Sequence, residues 1–252
     1  MEEMIRKAAE LITESNNIFF FTGAGVSTSA GVPDFRSNNG LYQQIKDKYN
    51  IENPEVVFDI SFFKKTPELF YEVSKNLLNY DIEPTETHRF IARIEEMGKM
   101  SLLVTQNIDM LHSKAGSKNI FECHGSYNIG YCQNCGMEYT FDDYGTTILD
   151  GQIPKCKCKG VIKPSVVFFG EQLPSKFYDI YDEPPDVDLL VVMGTSLTVQ
   201  PAASLALKFV TNTKSIIINR DPTPFDSRFN LVINGELDKI VDKIWEFIEG
   251  KK

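Results

Sequence analysis

The chain has 252 residues, a formal net charge of −9, 42% hydrophobic residues and 24% charged ones. That acidity argues against a direct grip on nucleic-acid phosphates, and the length suits one large domain with a smaller insertion. No apolar run approaches the roughly 20 residues that cross a bilayer, and Met1-Glu2-Glu3-Met4-Ile5-Arg6 does not open a secretory leader, so no membrane partner is expected and a cytoplasmic or nuclear home is.

Met4, Ile5, Ala8, Ala9, Leu11 and Ile12 recur at helical spacing and predict a helix over 3–15. The apolar run at 18–22 predicts a buried strand, and it runs straight into Gly23-Ala24-Gly25. Glycines in that place let backbone N–H groups approach a phosphate or a dinucleotide. The full dinucleotide fingerprint is absent, because Thr28 stands where its third glycine belongs, and a plain dehydrogenase is disfavoured. Helices are predicted over 67–79 and 86–98, and short strands at 101–105 and 121–124. The apolar run 188–193 ends in Gly194-Thr195-Ser196, and Pro201 opens a helix reaching about Val210. A strand at 215–219 and a helix over 238–248 close the chain.

Apolar strands alternating with helices indicate a parallel sheet covered on both faces. The expected fold class is therefore α/β: a Rossmann-like parallel sheet with helices on both faces, plus a small inserted zinc-binding lobe. Residues 1–128 and 163–252 make the Rossmann-like domain, with about 38–85 as a helical part of the small lobe, and 129–162 make the zinc module. Ligands in such sheets bind beyond the carboxyl ends of strands, where the loops 23–29, 194–196 and 219–221 fall.

The zinc expectation rests on four of the five cysteines. Cys132-x-x-Cys135 and, twenty residues on, Cys156-x-Cys158 supply four thiolates, a set that suits one tetrahedral Zn2+. With no histidine beside them the site reads as structural rather than catalytic. The C-x-C half is one residue short of a knuckle, which predicts a tighter chelate and the loss of part of the turn that donates N–H groups to sulfur. Cys123 stands outside both pairs and reads as a buried small side chain.

Six stretches occur in one order: GAGVSTSAGVPDFRS from Gly23, TQNID at 105–109, HGS at 124–126, the paired cysteines, VVFFGE at 166–171 and GTSL at 194–197. In that combination the chain closely resembles the sirtuins, NAD-dependent protein deacylases, from about residue 5 to 248. The resemblance implies NAD as co-substrate, one structural zinc ion and acetylated lysine in proteins as the partner, handled by a monomer. Gly23, Ala24, Gly25, Thr28, Gly194, Thr195 and Ser196 would approach the pyrophosphate. Asn219 would hold the adenosine ribose and Leu237 would lie against the adenine. Asp34, Phe35 and Arg36 would belong to a cofactor loop over the nicotinamide ribose. Gln106 would bond that ribose, while Asn107, Ile108 and Asp109 would form the nicotinamide pocket.

The catalytic pair implied is His124, as general base, with Asn107; an imidazole titrates near neutral pH, which suits proton abstraction. Val167 and Phe168 would line the acyl-lysine tunnel. In the implied chemistry the acyl oxygen attacks C1′ as nicotinamide leaves, and free lysine and 2′-O-acyl-ADP-ribose result. His88 and His112 lie in helical patterns, where capping or packing accounts for them.

Relatives that prefer succinyl or malonyl groups carry a tyrosine and, three residues later, an arginine. Here Tyr71 is followed by Ser74, so a buried acidic acyl group would find no cation. Acetyl is expected, with longer fatty acyl groups allowed. The alternative activity is protein mono-ADP-ribosyl transfer from the same NAD site; His124 together with Asn107 and Asp109 favours deacylation. A nucleotide-sensing or acetyl-lysine-reading module would need damaged catalytic residues, and none is damaged.

Overall fold

A computed structural model describes residues 1–78 and 82–250. Its frame is a six-stranded sheet in which every pairing is parallel. The strands are β1 (Ile18–Thr22), β2 (Met100–Thr105), β3 (Ile120–Glu122), β7 (Leu189–Met193), β8 (Lys214–Asn219) and β9 (Leu231–Asn234), in the spatial order β3-β2-β1-β7-β8-β9. The order reverses between β1 and β7, so the loops leaving those two strands diverge and open a crevice there.

All five residues of β1 and of β7 are buried, as a strand covered on both faces requires. Ile18, Phe20, Val191, Met193, Ile216 and Ile218 face one layer, against α1 (Glu2–Glu14), α5 (Glu86–Glu96) and α10 (Leu237–Ile248). Phe19, Phe21, Leu190, Val192 and Ile217 face the other, against α8 (Ser175–Asp182) and α9 (Ala202–Phe209). Each such fully buried side chain contributes about 1.5–3 kcal/mol. Thr85 caps α5 through its hydroxyl and accepts the His88 N–H, while the Thr85 N–H donates to His88 Nδ1.

A second, antiparallel sheet has the order β5-β4-β6, from β4 (Ile129–Cys132), β5 (Glu138–Thr140) and β6 (Ile162–Pro164). With α7 (Phe141–Leu149) it shares a third core with α2 (Leu41–Tyr49), α3 (Ile60–Phe63) and α4 (Pro67–Leu77). That core is aromatic: Phe63, Phe70 and Phe168 meet with ring centroids 4.8–5.4 Å apart. The remaining short helix, α6 (Leu111–Lys114), follows the TQNID stretch.

The helix predicted over 67–79 ends at Leu77, and Asn79 lies outside the described residues. The strand expected over 121–124 stops at Glu122; His124 sits in the loop beyond it. α7, α8, β9 and the module strands were not among the predicted elements, and α2 and α3 were covered only by the undivided helical part expected at about 38–85. Among the described residues no helix is long and apolar enough to cross a membrane.

Candidate active site and cysteine centre

The loops at the carboxyl ends of β1, β2, β3, β7 and β8 line one cleft of ≈ 1150 Å³. It brings together Gly23, Ala24, Gly25, Thr28, Asp34, Phe35, Arg36, Gln106, Asn107, Ile108 and His124 from the first half of the chain. Val167, Phe168, Gly194, Thr195, Ser196, Asn219 and Leu237 join them from the second half. Asp109 is not in that lining. It faces a smaller cavity of ≈ 430 Å³ on the other side of its loop.

The glycines have a second duty. A Cβ on Gly23 would stand 2.7 Å from the Thr195 Cβ, and one on Gly25 would stand 2.7 Å from the Gly194 Cα. Gly194 itself has φ +63, and its own Cβ would meet the Val26 nitrogen at 2.5 Å. The β1 and β7 loops therefore pack backbone on backbone, and Gly25 N–H donates to Gly194 O at 2.8 Å. Gln106 braces the same junction, donating from Nε2 to Thr195 Oγ1 at 3.0 Å and to Thr22 O at 3.3 Å.

His124 Nδ1 lies 3.0 Å from Gln106 O. A carbonyl can only accept, so Nδ1 carries the proton and Nε2 keeps a bare lone pair, the state a general base needs. Burial lowers the imidazole pKa below its ordinary value, and the Gln106 carbonyl opposes that shift. The ring's loop is pinned on both sides: Val167 N–H donates to His124 O at 2.8 Å, and Gly125 turns at φ +67. A Cβ on Gly125 would fall 2.0 Å from Ser165 O, so no other residue fits there.

Ser27, which the sequence reading did not single out, organises the inner end. Its fully buried hydroxyl donates to Asp109 Oδ2 at 2.6 Å and accepts from Asn107 Nδ2 at 3.1 Å. Asp109 Oδ1 accepts the Leu111 N–H at 3.0 Å, so both carboxylate oxygens already have donors. The only signal in the sequence was the position of Ser27 inside the glycine-loop motif. Asp34 accepts the Arg36 and Ser37 N–H groups through Oδ1, an Asx turn that shapes the loop over the cleft. Arg36 reaches Glu55 at 3.2 Å on a half-exposed surface.

Tyr71 and Ser74 face away from the cleft. The Tyr71 hydroxyl donates to Ile162 O, and Ser74 Oγ pairs with the Tyr127 hydroxyl at 2.8 Å. Cys123 is fully buried, and burial pushes its thiol up to about 12, an inert state.

The four remaining cysteines converge, with all four Sγ atoms within 4.8 Å of one another. Cys132–Cys158 is 3.4 Å, Cys135–Cys158 3.5 Å and Cys135–Cys156 3.6 Å. Zinc–sulfur bonds of about 2.3 Å in a tetrahedron space the sulfurs about 3.8 Å apart, so the donor set fits a closed structural zinc site. The C-x-C half does retain its donor: Cys158 N–H approaches Cys156 Sγ at 3.4 Å, as Asn134 N–H approaches Cys132 Sγ at 3.4 Å. Gly160 makes room, since a Cβ there would stand 2.6 Å from Cys132 Sγ.

A parallel sheet whose switch point opens on a glycine loop, with a histidine in the same cleft, has the form of a dinucleotide-binding α/β protein. Comparison with known proteins narrows the class. A model of the Sir2 family matches residues 23–201. The chain is similar to an NAD-dependent protein deacetylase of Clostridium perfringens, 43% identical over 248 residues that cover 97% of this chain and 99% of that one. It also resembles a structure solved for the mechanism and regulation of Sir2 enzymes, with TM-score 0.89 and 38% identity over the whole of both chains. A structure of Sir2 with a p53 peptide and NAD+ aligns with TM-score 0.82 and 36% identity, covering 98% of each. The chain belongs to the Sir2 family.

Proposed function

We propose that the chain is an NAD-dependent protein lysine deacetylase, releasing nicotinamide and 2′-O-acetyl-ADP-ribose. One observation carries the reading: a single cleft joins the glycine loop, a histidine with a bare Nε2, and a passage walled by Val167 and Phe168. In this reading the backbone at Gly23, Ala24 and Gly25, with Thr28, Gly194, Thr195 and Ser196, receives the pyrophosphate. Asn219 takes the adenosine ribose and Leu237 the adenine. Asp34, Phe35 and Arg36 cover the nicotinamide ribose, and Gln106 bonds it.

Asn107 and Ile108 hold the nicotinamide. Asp109, expected to join them, lies outside the cleft lining and acts on this pocket through Ser27, whose hydroxyl donates to it and accepts from Asn107. When bound, NAD supplies an electrophilic C1′ from which nicotinamide departs as the acetyl oxygen bonds there. His124 Nε2 then takes the 2′-hydroxyl proton as that oxygen bonds to the acyl carbon, and one water completes the release of the lysine amine; Val167 and Phe168 wall the acyl chain. The four cysteines hold one zinc ion away from this chemistry. We further read residues 1–128 with 163–252 as the NAD-binding domain and 129–162 as the zinc module, whose last strand, β6, runs across that boundary to Pro164 and onto which the helices of 38–85 pack. No role in this scheme needs a second copy of the chain.

The test measures nicotinamide release from NAD with and without an acetyl-lysine peptide, in the wild type and His124→Ala. Peptide-dependent release with matching loss of acetyl groups is expected, and the substitution should lower kcat about a hundredfold or more. Release without deacetylation would sink the reading and leave ADP-ribosyl transfer or NAD hydrolysis.

A further inference from the structure

We infer that Lys163, outside the cleft lining, and Glu171, at its border, are positioning residues that set the acyl-lysine loop and couple it to the cysteine module. This rests on the deacetylase reading above, which makes 166–170 a substrate-contacting loop.

Lys163 sits in the middle of β6 and is 5% exposed, although a lysine stem normally carries its head to water. Its ammonium spends all three protons inside: on Val166 O at 2.7 Å, on Glu171 Oε2 at 2.9 Å and on Pro164 O at 3.3 Å. The head also lies 4.0 Å from the Phe168 ring centroid. The same Glu171 oxygen accepts the Phe168 N–H at 2.8 Å. One charge pair, buried at the lysine and part-exposed at the glutamate, thus grips the loop at Val166, Phe168 and Glu171 together.

The loop's other groups point outward to the reaction centre and the helical layer. Val167 N–H is tied to His124 O, Phe169 N–H to Phe58 O at 2.8 Å, and Ile60 N–H to Phe169 O at 3.1 Å. The foot of the strut is equally specific. In the pairing of β4 with β6, Tyr131 faces Lys163 and Cys132 faces Ile162, so the strand that anchors Lys163 is bonded to one that carries a metal-site cysteine. Disturbance of the cysteine cluster is thereby transmitted through β4, β6 and Lys163 to the backbone of Val166 and Phe168.

Packing alone does not require the pair. Phe168 already meets Phe58, Phe63 and Phe70 at 4.8–6.2 Å between centroids, and apolar residues commonly replace a buried ion pair without loss of stability. What an apolar residue cannot do is hold the Val166 carbonyl and orient the backbone beside it.

The experiment compares the wild type with Lys163→Met, Glu171→Gln and the double variant. Steady-state deacetylation gives kcat and both KM values, calorimetry gives peptide Kd and ADP-ribose Kd, and each preparation is checked for one zinc per chain. The double variant leaves no unpaired charge, and the introduced amide oxygen still accepts the Phe168 N–H, so it stays folded even where a single variant does not. Expected in the double variant is a rise of about tenfold in peptide KM and Kd, with kcat, NAD KM and ADP-ribose Kd within about twofold. Unchanged peptide binding would overturn the inference, and so would an equal loss in every parameter, which marks a purely structural pair. If the wild type does not deacetylate, the deacetylase reading falls, and unchanged peptide Kd among the variants would dispose of the strut separately.

Discussion

The six-stranded sheet and the cysteine module stabilise backbone by opposite means. β1 and β7 are buried along their whole length and are held by two apolar layers. In the module, β5 alternates exposed and half-buried residues, Tyr131 is 41% exposed, and two of the four metal-site cysteines face solvent. Three strands of three or four residues with one such face bury little apolar area by themselves. The module offers four thiols that could hold a zinc ion on one side and the aromatic core shared with α2 and α4 on the other. Where burial is complete the fold is self-sufficient; where it is not, stability depends on a ligand.

The largest effect that can break this comparison is loss of the metal. Structural zinc contributes about 10–16 kcal/mol to small zinc-folded units. Chelation, or Cys156→Ser, should abolish deacetylation. Hydrogen exchange should then rise across β4, β5, β6 and α7 while β1, β7 and β8 keep their protection. A uniform loss of protection would mean that the two regions are one cooperative unit and that the contrast is false.

The seam between the regions gives the next largest effect. Gly125 follows His124 on the large-sheet side and packs against Ser165 on the module side. Gly125→Ala adds a left-handed non-glycine residue, about 1–3 kcal/mol of strain, to a clash with backbone at 2.0 Å. The expected outcome is a lower melting temperature and a loss of kcat of about a hundredfold, as His124 is displaced. Gly98→Ala is the control: it also has positive φ, +72, but nothing stands within 4 Å of the added Cβ. It should cost only the strain and leave kcat unchanged. Equal effects at both positions would show that the seam is not special.

The same contrast explains what the sequence made legible. β1, β7 and β8 are unbroken apolar runs, and α1, α5 and α10 carry clear helical periodicity, so each is readable without a structure. The module strands span three or four residues with mixed exposure and offer no period. α8 has only eight residues, with Phe177 and Ile180 turned inward. The residues of the cleft were nameable through the resemblance, because six motifs stood in order. Ser27 and Lys163 were not, because their meaning lies in partners 82 and 8 positions away. At the shorter Cys156–Cys158 spacing one N–H to sulfur contact remains, from Cys158 to Cys156 Sγ, with the same length as that from Asn134 to Cys132 Sγ.

The smallest effect separates the regions by pH. All three histidines lie outside 129–162. Burial lowers His88 to about 4, opposed by Asp109 and Asp238, and holds His112 well below its usual value, with His88 adding to the shift. His124 is lowered in the same sense by burial. A folded-state pKa below the unfolded value means that the unfolded chain binds more protons, so stability is full above about 6.5 and falls as pH drops toward 4. Each histidine contributes a slope of up to about 1.4 kcal/mol per pH unit in that window. Urea unfolding at pH 7.5, 6, 5 and 4.5 should therefore give a slope that His112→Gln reduces by about one proton's worth. Exchange at pH 5 should rise first around α5 and α6, where the rings of His88 and His112 meet edge to face at 4.5 Å between centroids. An unchanged slope would show that His112 is protonated in the folded protein, and the acid sensitivity would then have to come from carboxylates or from the thiolates of the module.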